Sequence, residues 1–366
     1  MSNILNLQEI NQQTALVLAK FSIDAGNNIF LFGNSGTGKS AIAMQAIKEC
    51  NYKINYINLS VIERNDLCGY PDLHSNSPTI DFKLPNYLPP LDGKADQVIL
   101  FDEVDKASPE VLAPLLELLQ FKKINGISIN VASCILTGNL PSERVYANQI
   151  SSALLDRGSK YLLEFNFSQW LNWAKLNNVH DLILGFLQSN PDFVCGKDDN
   201  NLYASPSPRG WTYASNALIK ANSLNIFEIE TITQIISGYV GSNAGLHFRM
   251  WYEYYRKFEP FIKSLIERGS MAFNFDELVP TEKLIFVIST CFSAKQKVIS
   301  DKSKKKFVYL ERLCDFFNKY KVEKEMQVIG LHNSFSFDQI TTLKLYECKV
   351  FFDHFTKLSE NISFKK

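Results

Sequence analysis

The sequence predicts an α/β fold in which a parallel sheet, covered by helices, is followed by a helical region. Between residues 28 and 165, apolar strand-like segments alternate with helix-like segments, a pattern typical of parallel sheets. Residues 97–101 form a nearly continuous apolar run, as expected for a strand that is buried on both faces. From about residue 167 onward, apolar residues recur with helical spacing.

Each element follows from its local pattern. Residues 8–24 are predicted to form a helix that leads into a first strand at residues 28–32. Asn125-Gly126 lies between alternating residues and predicts a β-hairpin over residues 122–130. The proline-rich residues 66–92 predict an irregular insertion. Further strands are expected at residues 54–59, 97–101, 133–136 and 161–165, and helices at residues 41–47 and 108–120.

The most informative segment is residues 33–40, which match the pattern G-x-x-x-x-G-K-S between a predicted strand and a predicted helix. Its glycines let the backbone curl so that N–H groups point at nucleotide phosphates, and the following helix adds its positive end. A glycine-rich turn with a surface lysine is the alternative, which this strand–loop–helix context disfavours. We predict a nucleotide site formed by Gly33, Asn34, Ser35, Gly36, Thr37, Gly38, Lys39 and Ser40.

An acidic pair, Asp102 and Glu103, directly follows the apolar run at residues 97–101. A carboxylate that ends a strand beside a phosphate loop can hold Mg²⁺, so Asp102 and the hydroxyl of Ser40 are the predicted metal ligands. Glu103 is placed to polarise an attacking water as a general base. Taken alone, the pair could be a solvated acidic turn, but the preceding phosphate loop favours the catalytic interpretation.

Composition excludes several classes of protein. Hydrophobic residues make up 46% of the 366-residue chain, which supports a substantial core. The formal net charge is zero, so the overall field does not favour nucleic acid as a partner. The seven cysteines are scattered without a C-x-x-C pair and predict free thiols in a cytoplasmic protein. Neither a signal peptide nor an apolar run long enough to span a membrane is expected.

The chain resembles the AAA+ ATPases and, within them, the MoxR-like branch. The resemblance covers roughly residues 28–220 and thins out beyond about residue 260. It depends on short motifs that occur in the order found in that family. They lie at residues 33–40, 65–71, 101–107, 137–139, 153–157, 170–174 and 207–211.

The resemblance implies roles for three further residues. Asn139 matches the family's first sensor, which orients the attacking water, although alone it could be an Asx-turn residue before Pro141. Arg157 matches the arginine finger that reaches the γ-phosphate bound by a neighbouring subunit, although alone it could form a surface salt bridge. Arg209 matches the second sensor on a lid helix opened by Pro208, although alone it could be a solvated helix start.

For the whole chain, the resemblance implies an AAA+ core at residues 1–166, a helical lid at 167–240 and a helical extension at 241–366. It implies a hexameric ring that uses ATP and Mg²⁺ to remodel, activate or assemble a protein client. A protein with a von Willebrand A domain is the first expected partner. The hairpin at residues 122–130 and the insertion at residues 66–92 resemble inserts that face the pore of the ring in this family. The resemblance therefore makes Tyr70, Tyr87 and the hairpin tip candidate contacts with a client, although the two tyrosines could equally pack against their own domain.

Two departures and three rival functions stay open. Gly158 stands where the family usually has an aromatic residue, and residues 138–141 differ from the usual Gln-Asn-Pro motif. A nucleic-acid motor is disfavoured by the neutral charge, whereas a GTP-using subunit is not excluded. A scaffold that binds ATP without hydrolysing it is disfavoured by the intact Glu103.

Three patterns are predicted to be structural. The apolar stripe from Tyr309 to Tyr320 and the pair Trp170 and Trp173 are expected to be core. A basic cluster from Lys295 to Lys306 is predicted to be a solvated loop, with an acidic partner or nucleic acid as the alternative ligand.

Overall fold

The computed structural model describes residues 7–73, 80–89, 94–139, 150–196, 205–226, 228–301, 303, 305–335 and 337–360. Contacts divide the chain into two compact units, Met1–Trp170 and Leu171–Lys366. Over the described ranges, no helix is both long and apolar enough to cross a bilayer. All seven cysteines are free thiols, as predicted.

The first unit contains a six-stranded parallel sheet, which confirms the predicted α/β fold. The strands of this unit are β1 (Gln8–Ile10), β2 (Ile29–Gly33), β3 (Lys53–Asn58), β4 (Tyr70–Pro71), β5 (Phe82–Lys83), β6 (Gln97–Asp102), β7 (Lys123–Ile124), β8 (Ile127–Ser128), β9 (Ser133–Gly138) and β10 (Ser159–Leu163). Strands β4 and β5 form one separate two-stranded sheet, and β7 and β8 form another. Its helices are α1 (Gln12–Asp24), α2 (Lys39–Glu49), α3 (Arg64–Cys68), α4 (Pro109–Phe121) and α5 (Ser152–Leu155), and α6 (Phe167–Leu176) crosses into the second unit. The sheet order is β1-β10-β2-β9-β6-β3.

The three central strands β2, β6 and β9 are buried on both faces of the sheet, which explains why they are mostly apolar. In β2, Ile29 and Leu31 belong to one hydrophobic cluster, which includes residues of α1 and α2. Phe30 and Phe32 belong to a second cluster, which includes residues of α4. Successive side chains of a strand point to opposite faces, so a strand covered on both sides needs apolar residues at every position.

The start of the chain differs from its prediction. Residues 8–10 form the edge strand β1, paired with residues 161–163 of β10, and not the first turn of a helix. Helix α1 begins only after Asn11, whose side chain accepts a hydrogen bond from the Thr14 amide at 2.9 Å. The pairing partner lies far along the chain, so the local pattern could not reveal this strand.

The predicted hairpin is present as β7 and β8. Asn125 and Gly126 have φ angles of +50° and +76°, the left-handed pair that a two-residue hairpin turn requires. The Asn125 side chain donates a hydrogen bond to the carbonyl of Cys68 at 2.9 Å, so the turn contacts the insertion. In that insertion Tyr70 is 57% exposed, whereas Tyr87 donates its hydroxyl proton to the Asp66 carbonyl. Tyr70 is therefore the more accessible of the two tyrosines, and contact of either with a client stays a prediction.

The second unit is helical. Its helices are α7 (Asp181–Ser189), α8 (Pro208–Ser223), α9 (Ile229–Val240), α10 (Ser242–Arg268), α11 (Pro280–Ser300), α12 (Lys306–Lys319), α13 (Lys324–Ser334), α14 (Phe337–Thr342) and α15 (Lys349–Glu360). Aromatic residues such as Trp211, Phe248 and Phe286 are fully buried in it. The predicted apolar stripe of α12 is confirmed as core, since Leu313, Phe316 and Phe317 are at most 1% exposed in this unit. The proposed split of this region into a lid and an extension stays a prediction.

Three structural expectations for this region are corrected. Trp170 is buried as expected, but Trp173, three residues further along the same helix, is 38% exposed and is not core. The S-x-x-Q spacing of Ser336 and Gln339 predicts one final helix through about residue 357, but the end of the chain forms α14 and α15, separated by a short 3₁₀ turn at Leu345–Glu347. Lys295 lies inside α11 and is 6% exposed, so it is no part of a solvated loop. Lys302 and Lys304 lie outside the described residues.

Lys175 carries a buried ammonium group whose removal is expected to stabilise the second unit. Its side chain is 8% exposed, and its Nζ donates to the His332 carbonyl at 2.9 Å. Burial and the nearby Lys295 lower the pKa of Lys175 from 10.5 to about 7. The unfolded chain therefore binds this proton more tightly, and the resulting penalty is full below pH 7 and fades as pH rises toward 10.5.

We expect Lys175→Met to raise the free energy of unfolding by about 1–3 kcal/mol at about pH 6, and by less at about pH 9. Urea denaturation at both pH values measures the difference. Lys220→Met is the matched control, because Lys220 lies exposed on α8 and its ammonium stays hydrated. Equal gains at both pH values would contradict the assigned cause.

Candidate nucleotide-binding site

The predicted phosphate loop and acidic pair lie at the carboxyl ends of neighbouring strands in the sheet. Strand β9 separates β2 from β6, and all three run parallel, so their carboxyl ends meet. The loop follows β2, the acidic pair ends β6, and Asn139 follows β9. Three segments that are distant in sequence thus contribute side chains to one site, in the position where parallel α/β sheets bind ligands.

Glycines give the phosphate loop its shape. Gly36 and Gly38 have φ angles of +77° and +97°, a conformation that other residues rarely adopt. At Gly33, a Cβ atom would lie 2.7 Å from the carbonyl oxygen of Leu163, so the close approach of β10 excludes a side chain. Gly38 precedes the first residue of α2 and has no side chain to cap it, which leaves the helix amides facing the loop.

Lys39 is held at the centre of the site. Its side chain is 8% exposed, and its Nζ donates to the carbonyls of Gly33 and Asn34 at 2.9 and 2.8 Å. A third bond reaches the Asn139 side-chain oxygen at 3.0 Å, which joins the phosphate loop to the predicted sensor. Thr37 donates to the Asn34 carbonyl at 2.8 Å and closes the loop. These acceptors compensate a buried charge that would otherwise be costly.

Asp102 gathers hydrogen bonds from three neighbouring elements. The Ser40 hydroxyl lies 3.0 and 2.9 Å from its two carboxylate oxygens. Thr137 of β9 donates to the same carboxylate, and Tyr56 of β3 donates to it at 3.1 Å. Ser40 and Asp102, predicted as joint metal ligands, are therefore in direct contact, with an oxygen-rich surrounding of the kind Mg²⁺ prefers.

Glu103 has an unusual backbone conformation and an ionised side chain. Its φ of +58° is left-handed, which is uncommon outside glycine and often marks functional sites. Burial raises the pKa of Glu103, but hydrogen bonds from Lys106 and Ser60 outweigh that effect and hold the pKa below its usual value. Lys106 Nζ lies 2.6 Å from the carboxylate in a partly exposed ion pair. Glu103 is thus held as a carboxylate that can accept a proton.

Asn139 is positioned by Asp105, a residue that the motif analysis did not single out. The Asp105 carboxylate is 2% exposed and accepts the Asn139 amide proton at 2.9 Å. A Cβ at Gly138 would lie 2.9 Å from the side chain of Val104, so any residue other than glycine before Asn139 would have to displace its neighbours. The sequence also did not indicate Thr137 and Tyr56 as site residues. They lie on the neighbouring strands β9 and β3 and meet the Asp102 side chain only once the sheet has formed.

Arg157 lies beside the amino end of β2, whereas the phosphate loop follows the carboxyl end of that strand. The Asn28 side chain, just before β2, donates to the Arg157 carbonyl at 2.9 Å. Strand β2 has five residues, and at about 3.3 Å per residue this places the Arg157 backbone roughly 16 Å from the loop. The guanidinium donates to the Leu116 carbonyl at 3.1 Å and to the Gln120 side chain at 2.8 Å. The Leu116 carbonyl and the Gln120 side-chain oxygen are neutral acceptors, so these contacts do not support the alternative of a surface salt bridge.

Gly158, where the family usually has an aromatic residue, has a packing reason here. A Cβ at this position would lie 2.7 Å from the carbonyl oxygen of Asn28 and 3.0 Å from the Phe30 ring. The chain therefore passes too close to β2 for any side chain. This departure therefore concerns packing against the amino end of β2, and Gly158 is not one of the candidate nucleotide-site residues.

Arg209 lies in the second unit, in the first turn of α8. Ser207 caps this helix by accepting a hydrogen bond from the Gly210 amide at 3.0 Å, and Pro208 occupies the first position. The helix start is thus as predicted, whereas the contact of Arg209 with a nucleotide stays a prediction.

Comparison with known proteins gives a partial match. Residues 28–157 match the family model described as AAA domain (dynein-related subfamily). No curated protein matches the chain. Similar solved structures include two mutants of Thermotoga maritima RuvB and an ATPase-type protein of Cytophaga hutchinsonii.

These structural similarities are weak. The first RuvB mutant is 16% identical, with 73% of this chain and 81% of that chain covered at a TM-score of 0.36. The second is 15% identical, with 77% and 87% covered at a TM-score of 0.39. The Cytophaga protein is 14% identical, with 87% and 79% covered at a TM-score of 0.35. Scores this low carry no argument about activity or partners.

Proposed function

We propose, from the premise that residues 28–157 form an AAA+ domain of the P-loop ATPase type, that the protein hydrolyses ATP within a ring of identical subunits. Its output is the remodelling, activation or assembly of a protein client, the work of the MoxR-like branch that the motifs resemble. The observation that carries the proposal is the meeting of Lys39, Ser40, Asp102 and Asn139 at one sheet edge.

Nucleotide binding would use the loop and its lysine. Backbone amides of residues 36–40 surround the phosphates, because the glycines turn the chain around them. Lys39 would exchange its bonds to the loop carbonyls for bonds to phosphate oxygens, and its link to Asn139 connects phosphate occupancy to the sensor. The charge that Lys39 supplies is already desolvated, which strengthens its interaction with an anion.

The donor set fits Mg²⁺, for which Ser40 and Asp102 would be the protein ligands. When bound, the metal would neutralise charge on the β- and γ-phosphates. Thr137 and Tyr56 fix the orientation of the Asp102 carboxylate, so that one oxygen stays directed at the Ser40 hydroxyl. This pre-arrangement lowers the cost of assembling the site.

Hydrolysis would divide its remaining roles between two subunits. Glu103 would accept a proton from the attacking water while Asn139 orients that water. Arg157 lies too far from its own phosphate loop to assist there, so it would act on a nucleotide held by the neighbouring subunit. It borders a groove of about 680 Å³ at the amino edge of the sheet, which offers room for a neighbour to dock. Arg209 would contact the γ-phosphate from the lid.

Because the site is split, activity should depend on assembly. Phosphate release from ATP and Mg²⁺ is measured with the full chain over a range of protein concentrations, beside analytical ultracentrifugation of the same samples. We expect turnover per subunit to rise with concentration as rings form. Failure to hydrolyse ATP in fully assembled samples would refute the proposal, and stimulation by DNA or a preference for GTP would favour a rival.

A further inference from the structure

The two oxygens of the Asp102 carboxylate are held by different groups. Oδ1 accepts a hydrogen bond from the Glu103 amide at 3.1 Å and another from the Thr137 hydroxyl. Oδ2 accepts one from the Tyr56 hydroxyl at 3.1 Å. The Ser40 hydroxyl lies 3.0 and 2.9 Å from Oδ1 and Oδ2, and its one proton can be donated to only one of them at a time.

This arrangement favours Oδ2 as the oxygen that would face a metal ion. A carboxylate offers roughly four positions to donors, about two on each oxygen. At Oδ1, the Glu103 amide and the Thr137 hydroxyl fill both positions. At Oδ2, Tyr56 fills one position, and the other is directed toward Ser40, the second predicted metal ligand.

Tyr56 reaches this oxygen diagonally across two strands. In the pairing of β3 with β6, Tyr56 lies beside Leu100, and Asn58 lies beside Asp102. Side chains two residues apart on a strand share a face of the sheet, so Tyr56 and Asp102 are diagonal neighbours on one face. Diagonal neighbours are about 7–8 Å apart at the backbone, a distance that a long side chain such as tyrosine can span.

Tyr56 and Thr137 differ in what else they do for the fold. Thr137 is fully buried in the central strand β9, and its loss would leave a carboxylate oxygen short of a donor inside the sheet. Tyr56 is 46% exposed, because β3 is the last strand of the sheet. Its hydroxyl can therefore be removed without opening a cavity, so a role in the site can be separated from a role in folding.

We propose that Tyr56 is a positioning residue for the metal: its phenol holds Oδ2 of Asp102 toward the place beside Ser40 that Mg²⁺ would occupy. Tyr56 thereby sets how tightly the nucleotide site holds Mg²⁺, and it does not touch the nucleotide. The inference rests on the proposed function, since it requires a site that binds nucleotide together with the metal.

Hydrogen bonds that orient a metal ligand are commonly worth about 10–100-fold in metal affinity. We expect a smaller contribution from Tyr56, about three- to tenfold, because a water molecule can partly replace a phenol this exposed. Nucleotide binding without metal should not depend on Tyr56, since the phosphate loop and Lys39 supply those contacts.

The test is the Mg²⁺ dependence of nucleotide binding by the full chain carrying Tyr56→Phe. The probe is ADP with a fluorescent N-methylanthraniloyl group on its ribose, titrated in EDTA and at a series of Mg²⁺ concentrations. In EDTA, the variant should bind the probe as tightly as wild type does. The Kd of Mg²⁺ at the probe-bound site should rise about three- to tenfold. The affinity for the Mg²⁺–probe complex should fall by the same factor, because the two binding events are linked.

Tyr87→Phe is the matched control. Tyr87 lies in the same unit and is 41% exposed, and its hydroxyl donates to the Asp66 carbonyl and not to a residue of the candidate site. This variant should leave both the metal-free affinity and the Kd of Mg²⁺ at the wild-type values. The thermal unfolding midpoint of Tyr56→Phe should also stay close to wild type, as expected for a change at a partly exposed position.

The outcomes separate this inference from the proposed function. If wild type binds the probe with Mg²⁺ and Tyr56→Phe holds the metal equally tightly, the inference alone is overturned. It is also overturned if Tyr56→Phe weakens metal-free binding by as much as metal-bound binding, because Tyr56 would then support the site as a whole. Wild-type binding that does not respond to Mg²⁺ would overturn the inference together with the metal assignment. A wild-type chain that binds no probe under either condition would overturn the proposed function itself.

Discussion

Arg157→Ala is expected to lower ATP turnover about 10³-fold or more while ATP affinity stays close to the wild-type value. The guanidinium stabilises charge that develops on the transferred phosphoryl group, so its loss affects the transition state more than the bound substrate. Its position at the edge of the sheet opposite the phosphate loop is the structural reason to expect no effect on binding within one subunit. Steady-state turnover and nucleotide titration measure the two quantities separately.

A mixing experiment tests whether Arg157 acts across a subunit boundary. Arg157→Ala subunits have an intact nucleotide site but no finger, and Glu103→Gln subunits have the finger but no general base. In an equal mixture, about one quarter of head-to-tail interfaces combine an intact site with an intact finger. Turnover should therefore reappear in the mixture, although each variant alone is inactive.

Gln120→Ala is the matched control for Arg157, because it removes a hydrogen-bond partner of the guanidinium and leaves the charge in place. We expect turnover to change by less than about threefold. Unchanged turnover in Arg157→Ala would remove this residue from the finger role. An inactive mixture would show that the residue does not complete a neighbour's site.

The elements that form the candidate nucleotide site could be predicted from sequence because their signals are local. The phosphate loop needs glycines at positions with left-handed backbone angles, and the strand before the acidic pair needs apolar residues on both faces. The hairpin is similar, since Asn125-Gly126 supplies its turn. In each case, the physical requirement falls on consecutive residues and is therefore visible in the sequence.

Other features depend on partners that only the folded chain brings together. Strand β1 exists because residues 161–163 lie beside it, and Asp105 matters because the Asn139 amide approaches its carboxylate. Lys295 was misjudged for the same reason: a lysine in a basic run looks solvated until the packing of α11 buries it.

Glu103→Gln is expected to lower turnover by about 10²–10⁴-fold while ATP still binds. The amide keeps the size of the side chain and loses the ability to accept a proton from water. Lys106→Ala is the matched control: it removes the ion pair at 2.6 Å, a partly exposed contact, and keeps the carboxylate. We expect that variant to stay within about threefold of wild-type turnover. Loss of activity in Lys106→Ala as severe as in Glu103→Gln would contradict the assignment of the general base to Glu103.

The same substitution is also the means to identify the client. If hydrolysis releases a bound protein, then Glu103→Gln subunits saturated with ATP should hold that protein, whereas Lys39→Ala subunits should not, because they lack the phosphate-binding lysine. Proteins recovered with the first variant and ATP, but absent without ATP and absent with the second variant, are the expected clients. Recovery of nuclease-sensitive nucleic acid in place of protein would shift the function toward a nucleic-acid-directed motor. Equal recovery with both variants would show that client binding does not depend on the nucleotide. That result would contradict an ATP-driven remodelling cycle, which requires such a dependence.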